Sequence, residues 1–175
     1  MKPRFYVLLI CIVFIACKKE PAPVLPGPSA NHWGAADALQ NGIPWKANPL
    51  CSWQDSIEHT AFINLDSFST RWTEILSFSE VPCIPGTYEI RPSTWPEDGI
   101  PSAYFHYWNY DFAAATYTPL EGSGNRLVVE SYDPVSREIK GLFDVVMVLQ
   151  QWQGYPEAPD TIRFINGKFH GRLYK

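Results

Sequence analysis

The chain has 175 residues, of which 15% are aromatic and 18% are charged, and its formal net charge at pH 7 is −4. This acidic balance argues against a nucleic-acid partner, because binding the phosphate backbone needs a basic surface. Many aromatic and few charged residues also argue against a disordered or helical chain and are typical of a β-rich exported domain.

The N-terminus has the pattern of a lipoprotein export signal. Two basic residues, Lys2 and Arg4, are followed by an apolar run that ends at Ile15, and Ala16 is the small residue before Cys17. Signal peptidase II cuts at junctions of this kind, so we expect cleavage before Cys17 and attachment of lipid to its thiol. The apolar run is shorter than the roughly 20 residues that span a bilayer, which makes a transmembrane helix the weaker interpretation.

This cleavage predicts three segments: a signal peptide at 1–16, a lipidated and Pro-rich tether at 17–32, and a folded domain at 33–175. The mature chain has 159 residues, a usual size for one domain, and a formal charge of −6, because cleavage removes two basic and no acidic residues. An extended tether, at about 3.1 Å per residue, would hold the domain about 40 Å from the lipid. Lys18 follows the predicted lipidated cysteine. By the general sorting rule for lipoproteins, a residue other than Asp at this position predicts the outer membrane. The domain would face either the periplasm or the exterior.

Two cysteines, Cys51 and Cys83, remain in the folded domain, since Cys11 lies in the discarded apolar run. Outside the cytoplasm, such a pair predicts a disulfide. The bond would stabilise the fold by about 3–4 kcal/mol in the chain-entropy model. Zinc binding or a reactive thiol is the alternative, but neither cysteine has another Cys or a His within a few residues that would complete a metal site.

From Trp33 onward the pattern predicts short strands joined by tight turns. Asn41 and Gly42 lie between two apolar stretches, and Asn-Gly readily adopts the positive φ angles of a two-residue hairpin. A short helix over Ala35–Gln40, capped by Gly42, is the alternative. A second Asn-Gly pair, at 166–167, predicts another hairpin within Thr161–His170.

Seven further segments are rich in β-branched and aromatic residues, with Pro, Gly, Asp and Ser at the gaps between them, and are predicted strands. They are Thr60–Phe68, Thr73–Glu80, Gly86–Arg91, Ala103–Asn109, Phe112–Tyr117, Arg126–Tyr132 and Glu138–Leu149. Pro134 predicts a type I turn between the last two. The spacing predicts a single-domain, all-β fold, an antiparallel β-sandwich or barrel of about eight strands.

Turn and strand motifs follow one another in a fixed order along most of the mature chain. They are Asn41-Gly42 with Trp45-Lys46-Ala47, Pro85-Gly86-Thr87-Tyr88, Leu127-Val128-Val129 with Tyr132-Asp133, Ile139-Lys140-Gly141-Leu142-Phe143, and Asp160-Thr161-Ile162-Arg163-Phe164 with Asn166-Gly167-Lys168-Phe169. Together with Cys17-Lys18-Lys19, this order resembles small Bacteroidota-type lipoproteins of unknown function, although Leu142 stands where a Thr is frequent. The resemblance implies an all-β domain behind a lipid anchor. It carries over no catalytic residue, because the motifs are turn and core positions.

Motifs of known catalytic chemistry are absent from the sequence. There is no Gly-x-Ser-x-Gly elbow, phosphate loop or His-Glu-x-x-His, and the histidines at 32, 59, 106 and 170 are far apart. We therefore predict no catalytic residue, no metal and no cofactor. Glu97 and Asp98 lie beside Trp95 in a segment with turn chemistry, so we interpret them as turn residues. A glycosidase needs two carboxyls about 5–10 Å apart across a cleft, and neighbouring turn residues do not predict such a pair.

The aromatic segment Tyr104–Phe112 has the composition of a binding surface. In a strand, Tyr104, His106, Trp108, Tyr110 and Phe112 point to one face, and Phe105, Tyr107, Asn109 and Asp111 to the other. We expect one face to be core and the other to be a platform that suits a sugar ring or a partner's apolar patch. The candidate binding residues are Trp95, His106, Tyr107, Asn109 and Asp111, with Tyr107 as the expected surface anchor. The alternative is a central strand, buried on one side and covered on the other by cross-strand aromatic pairs.

These observations predict a lipid-anchored envelope protein of the outer membrane that acts by binding or as an accessory to a surface complex, without catalysis of its own. Its expected partners are the membrane, through the lipid, and a glycan or an envelope protein. A small envelope hydrolase acting on glycan or peptide is the main alternative, and a purely structural subunit is a third. A flat aromatic patch would favour binding, whereas a cleft with aromatic rings and two close carboxylates of perturbed pKa would favour an enzyme.

Overall fold

Strands are the only regular secondary structure in the described residues of this chain. The computed structural model describes residues 28–55, 59–69, 72–92, 99–109, 112–155 and 158–174. The strands are β1 (Ala35–Gln40), β2 (Ile43–Asp55), β3 (Thr60–Phe68), β4 (Thr73–Pro82), β5 (Gly86–Glu89), β6 (Arg91–Pro92), β7 (Ser102–Asn109), β8 (Phe112–Pro119), β9 (Arg126–Asp133), β10 (Glu138–Trp152) and β11 (Thr161–Tyr174). The predicted all-β class is confirmed. The predicted signal peptide at 1–16, the predicted lipidation site Cys17 and the candidate residues Trp95 and Asp111 lie outside the described residues.

Eight strands pair side by side into a closed ring, in the order β1, β2, β3, β4, β7, β8, β10 and β11. Successive strands of the ring are antiparallel, and β11 closes it by pairing with β1. The second half of β10 pairs with β8 and its first half with β9, so β9 and β5 extend from the ring. The short β6 runs parallel to β7. The architecture is barrel-like, one of the two that the sequence predicted.

The core fills the inside of this ring with side chains from strands that are not neighbours. The ring centroids of Phe78 and Phe143 lie 5.3 Å apart, which joins β4 to β10, and those of Phe105 and Phe164 lie 5.2 Å apart, which joins β7 to β11. Gly167 makes room for this packing, because a Cβ there would lie 2.4 Å from the ring of Phe143. Each buried ring stabilises the fold by roughly 25 cal/mol per Å² of apolar area removed from water.

The first Asn-Gly hairpin is confirmed. Asn41 and Gly42 have φ angles of 51° and 83°, and they join β1 to β2 as a two-residue turn. The alternative helix over Ala35–Gln40 is wrong, because this segment pairs as a strand with both β2 and β11.

The second predicted hairpin is wrong, because Asn166 and Gly167 lie inside the continuous strand β11. Asn166 has a φ of 55°, and the pairing of β11 shifts register around it with both β1 and β10. The positive φ therefore forms a bulge that bends one strand instead of reversing the chain. The carboxylate of Asp144 accepts the N–H of Asn166 at 2.8 Å and fixes the bulge.

The turn after Asp133 is confirmed and is held by its own carboxylate. Oδ1 of Asp133 accepts the N–H of Val135 at 2.8 Å, and Oδ2 accepts the hydroxyl of Ser136 at 2.8 Å. These bonds lower the pKa of Asp133, because they favour the charged carboxylate. A turn is therefore present where Pro134 predicts one.

The predicted disulfide is not present, because Cys51 and Cys83 are both buried free thiols. Cys51 lies on β2 and Cys83 directly follows β4, and β3 separates these two strands. The two thiols lie near enough for Cys83 to contribute to the raised pKa of Cys51, but no S–S bond joins them. Burial raises the pKa of Cys51 to about 12 and that of Cys83 to about 11, so both thiols are protonated at neutral pH.

Candidate binding surface

The two faces of β7 differ in burial, and the inward face is the one that the sequence nominated as surface. Phe105 is fully buried and Tyr107 is only 7% exposed. Tyr104, His106 and Trp108 are partly exposed on the outside of the ring. The expectation that Tyr107 is a surface anchor is therefore wrong. The face that contains Trp108 is the outer one.

We use the name outer aromatic surface for five partly exposed residues, Phe62 on β3, Ile75 on β4, and Tyr104, His106 and Trp108 on β7. The ring centroids of Phe62 and Tyr104 lie 6.2 Å apart, those of Tyr104 and His106 4.9 Å, and those of His106 and Trp108 6.2 Å. Ile75 lies in register with His106. These residues form one continuous apolar and aromatic area across three neighbouring strands.

Hydrogen-bonding groups are interspersed with the rings of this surface. Nδ1 of His106 lies 3.0 Å from the hydroxyl of Thr116, and within the described residues its Nε2 makes no hydrogen bond. Burial lowers the pKa of His106 below its ordinary value of 6.5, so the imidazole is neutral at pH 7. Ser77 donates to Asn64 at 2.6 Å between Tyr104 and Phe62. The surface therefore offers ring faces together with neutral polar groups.

One edge of the outer aromatic surface is covered by the start of the described chain. Nε2 of His32 lies 2.8 Å from Oδ2 of Asp66, and both side chains are nearly buried. The backbone N–H of Ser29 donates to Nδ1 of His32 at 2.8 Å, so the ring proton is on Nε2, which donates to the carboxylate. Phe68 contacts the same imidazole edge-on at 5.6 Å. Burial raises the pKa of Asp66, and the bond from His32 opposes that shift.

Trp33 and Gly34, which follow His32, hold the start of the described chain against β2 and β11. The N–H of Trp33 donates to the carbonyl of Pro49 at 3.0 Å, and the guanidinium of Arg172 lies 4.1 Å from the centroid of the indole ring. Gly34 has a φ of 95°, and a Cβ there would lie 1.9 Å from the carbonyl oxygen of His170. Only glycine fits this close approach. We use the name clasp for His32, Trp33 and Gly34.

A second cluster lies inside one end of the ring, around the carboxylate of Glu74. The indole N–H of Trp45 donates to Oε2 of Glu74 at 2.6 Å, and Tyr107 stacks on Tyr155 with centroids 4.3 Å apart. Burial raises the pKa of Glu74, and the bond from Trp45 opposes the shift. The side-chain amide of Gln40, on β1, also lies beside Glu74 and opposes the rise in its pKa.

The carboxylates of Asp66 and Glu74, which both have a raised pKa, do not form a catalytic pair. Asp66 points out of the ring towards His32, whereas Glu74 points inward to Trp45. A glycosidase needs both carboxyls on the same side of a cleft. The arrangement therefore gives no support to the hydrolase alternative.

Charged residues line a different region, outside β9, β10 and β11. Two adjoining hollows of about 310 and 450 Å³ share Leu142 and Lys168. Arg126 pairs with Asp144 at 2.7 Å, and Lys168 pairs with Asp37 at 3.5 Å. Because these charges already neutralise one another, this region is a weaker candidate than the outer aromatic surface.

The structure brings together only part of the set of residues predicted from sequence. His106 belongs to the outer aromatic surface, Asn109 is partly exposed at the end of β7, and Tyr107 is in the interior. Sequence reasoning missed Phe62 and Ile75, which reach the surface only because β3, β4 and β7 are neighbours. It also missed Glu74, although a period of two counted back from the core residues Leu76 and Phe78 would have placed it inward.

Comparison of the chain with protein-family models, with curated proteins and with solved structures finds no match. In the part of the chain that the structure describes, no helix has the length and hydropathy needed to cross a bilayer. The same described residues contain no group of three or more His, Cys, Asp or Glu side chains arranged to hold a metal ion.

Proposed function

We propose that this protein is a lipid-anchored binding module of the bacterial outer membrane, and that it binds an envelope glycan on the outer aromatic surface. The observation that carries this proposal is the row of Tyr104, His106 and Trp108, three partly exposed rings along one strand. Large rigid rings dominate binding interfaces at low entropic cost.

A glycan fits the chemistry of this surface better than a charged ligand. Ring faces suit the apolar faces of sugars, and Nε2 of the neutral His106 and the amide of Asn64 supply hydrogen bonds to hydroxyl groups. The surface offers no free positive charge to a charged ligand. His106 is neutral because its pKa is lowered, and His32 is bonded to Asp66. An envelope protein with an apolar patch is the other ligand class that the aromatic residues suit.

Binding is tested with the double variant Tyr104→Ala and Trp108→Ala, assayed against immobilised peptidoglycan and lipopolysaccharide. We expect the variant to lose affinity at least tenfold, because both ring faces are removed. The matched control is Leu142→Ala, which truncates an exposed apolar residue in the hollows outside β10. Equal binding by all three proteins, or no binding by the wild type, would refute a glycan site on this surface.

Anchoring is tested separately at Cys17. We expect Cys17→Ala to abolish incorporation of labelled palmitate and to leave the precursor uncleaved, because the thiol is the acceptor. Fractionation should place the wild-type protein in the outer membrane, as Lys18 predicts. Labelling that survives the substitution would exclude this site, and recovery only in the inner membrane would overturn the sorting prediction.

A further inference from the structure

We propose that one end of the ring rests on the surface of the lipid bilayer, through three exposed apolar side chains of the folded domain. They are Ile43 at the start of β2, Phe112 at the start of β8 and Trp152 at the end of β10, and we use the name apolar rim for them. The proposal rests on the anchoring part of the proposed function and adds a second membrane contact to it. It does not depend on which ligand the outer aromatic surface binds.

The apolar rim lies at a single end of the ring. The connections from β1 to β2, from β3 to β4 and from β7 to β8 are all at this end, because successive strands are antiparallel. Ile43 follows the first of these connections, and Phe112 follows the third. Trp152 lies in register with Ala115, near the same end of β8. Ring closure thus gathers residues that are far apart in the sequence.

The chemistry of the apolar rim suits hydrocarbon. The exposed fractions are 69% for Ile43, 40% for Phe112 and 58% for Trp152. The indole N–H of Trp152 is the one polar group among these side chains, and it donates to the backbone carbonyl of Tyr155. An N–H that is bonded within the protein enters an apolar phase without losing a hydrogen bond. The rim therefore pays no such penalty on contact with lipid.

The described chain begins at the same end of the ring, which is the observation that selects a bilayer as the partner. The backbone N–H of Ser29 donates to Nδ1 of His32 at 2.8 Å, and this imidazole contacts Phe68 edge-on at 5.6 Å. Phe68 is the last residue of β3 and lies in register with the first residue of β4. The clasp fixes this position on the outside of the ring. The chain therefore enters the domain at the end that carries the apolar rim.

The length of chain before this point keeps that end near the bilayer. Cys17, the predicted lipid attachment site, precedes Pro28 by eleven residues, and a chain of that length spans at most about 40 Å. A surface that is tethered this closely has a high effective concentration at the bilayer, so a small apolar area suffices for docking. Trp and apolar side chains are also the residues that proteins place at membrane interfaces.

The opposite end of the ring separates this argument from exposure alone. Ile84 and Val135 are exposed apolar residues there, in the connections that follow β4 and β9. Because the chain does not enter the domain at that end, we assign no membrane contact to them. They provide the matched controls for the apolar rim.

Docking orients the domain on the membrane. The outer aromatic surface lies on the side of the ring, across β3, β4 and β7, and not on the end that carries the apolar rim. It therefore stays open to a ligand that lies beside the bilayer.

The first test places the photo-crosslinking amino acid p-benzoylphenylalanine at position 152 of the full chain expressed in cells, with position 135 as the control. We expect the probe at 152 to form phospholipid adducts, detected by the mass of the peptide that carries it, at least fivefold more often than the probe at 135. Equal yields at the two positions would overturn the proposal. So would adducts at 152 to another protein, or to a second copy of this chain, in place of lipid.

The second test removes the rest of the apolar rim while the probe at 152 stays in place. We expect Ile43→Ser with Phe112→Ser to lower the yield of lipid adducts at least threefold, whereas Ile84→Ser with Val135→Ser should leave it unchanged. All four side chains are exposed, so we expect both double variants to keep the near-UV circular dichroism spectrum of the parent protein. The same yield in both double variants would contradict a docking role for the rim.

Labelling of Cys17 with palmitate separates this proposal from the proposed anchor. Lipid adducts at 152 without palmitate labelling would mean that the rim contacts the bilayer and that only the predicted anchor fails. Labelling with equal adducts at 152 and 135 would mean that the anchor is correct and only the docking fails. Absence of both labelling and adducts would overturn the two together.

Discussion

Strand β7 has five aromatic or imidazole rings in succession, and its two faces have opposite roles. Inward, Phe105 contacts Tyr117 at 5.7 Å and Phe164 at 5.2 Å, on the adjacent strand and across the ring. Outward, Tyr104 and His106 pack along their own strand, partly exposed. The composition of the two faces is similar, so the difference comes from closure of the ring, which encloses only one of them.

The comparison teaches that an aromatic side chain is core or surface according to what lies opposite to it. Tyr107 has Tyr155 stacked on it and Tyr117 beside it, and burial raises its pKa well above the ordinary value of 10. His106 has a bond to Thr116 and is partly exposed. Four predictions test this contrast.

The largest effect is expected from Tyr107→Ala compared with Tyr104→Ala. Both remove the same ring from the same strand, but only the first leaves a hole in the core. We expect Tyr107→Ala to cost about 3–5 kcal/mol in the free energy of unfolding and Tyr104→Ala about 1–2 kcal/mol. Urea denaturation measures both, and equal losses would remove the distinction between the faces.

A polar substitution at Cys51 tests how much stability the interior loses when a hydroxyl is buried there. We expect Cys51→Ser to cost about 1–3 kcal/mol, because a hydroxyl would be buried where a weakly polar thiol packs against Gly171. In the native wild-type protein at pH 8, neither Cys51 nor Cys83 should react with iodoacetamide, since their raised pKa values keep both thiols protonated. Rapid alkylation before unfolding, or a Cys51–Cys83 disulfide in non-reducing mass mapping, would contradict the structure.

Glu74 tests the interior through pH. Its pKa in the folded state is raised above the ordinary value of 4.5, so the folded protein binds more protons than the unfolded chain above that pH. Its contribution to stability is therefore present at low pH and is lost as pH rises from 4.5 to the folded pKa. We expect Glu74→Gln, which keeps an acceptor for Trp45, to flatten this decline in urea titrations between about pH 4 and 7. Parallel curves for the two proteins would show that Glu74 is not the source.

The smallest effect on stability is expected outside, from His106→Ala. The substitution removes one hydrogen bond and a partly exposed ring, so we expect a loss of about 1 kcal/mol or less, together with weaker glycan binding. Thermal unfolding and the immobilised-glycan assay measure the two quantities on the same sample. A loss as large as that of Tyr107→Ala would mean that the outer face is enclosed like core.

The alternation of residues along β7 was predictable from sequence, but the choice of face was not. A period of two separates Tyr104, His106 and Trp108 from Phe105 and Tyr107 correctly. Because both groups are aromatic, hydrophobicity does not say which one faces inward. That choice depends on the pairing of β7 with β4 and β8, which brings its inner face towards β11.

The two Asn-Gly pairs show the same limit. Asn41 and Asn166 have nearly equal φ angles, 51° and 55°, and each is followed by a glycine. One reverses the chain, and the other bends a strand that remains paired with β1 and β10 on either side of the bulge. Local sequence predicted the backbone angle in both cases. The long-range pairing decided whether that angle formed a hairpin turn or a bulge.

Closure of the ring also sets the order in which this chain is able to fold. The seam between β1 and β11 joins residues 122 positions apart, and there the N–H of Arg163 donates to the side chain of Asn41 at 2.9 Å. Until β11, the last strand with its fourteen residues, is in place, the edges of β1 and β10 that pair with it stay open. We therefore expect slow folding, as in other topologies dominated by non-local contacts. Deletion of β11 alone would leave β1 and β10 without this partner strand, and we expect the whole domain to be unfolded.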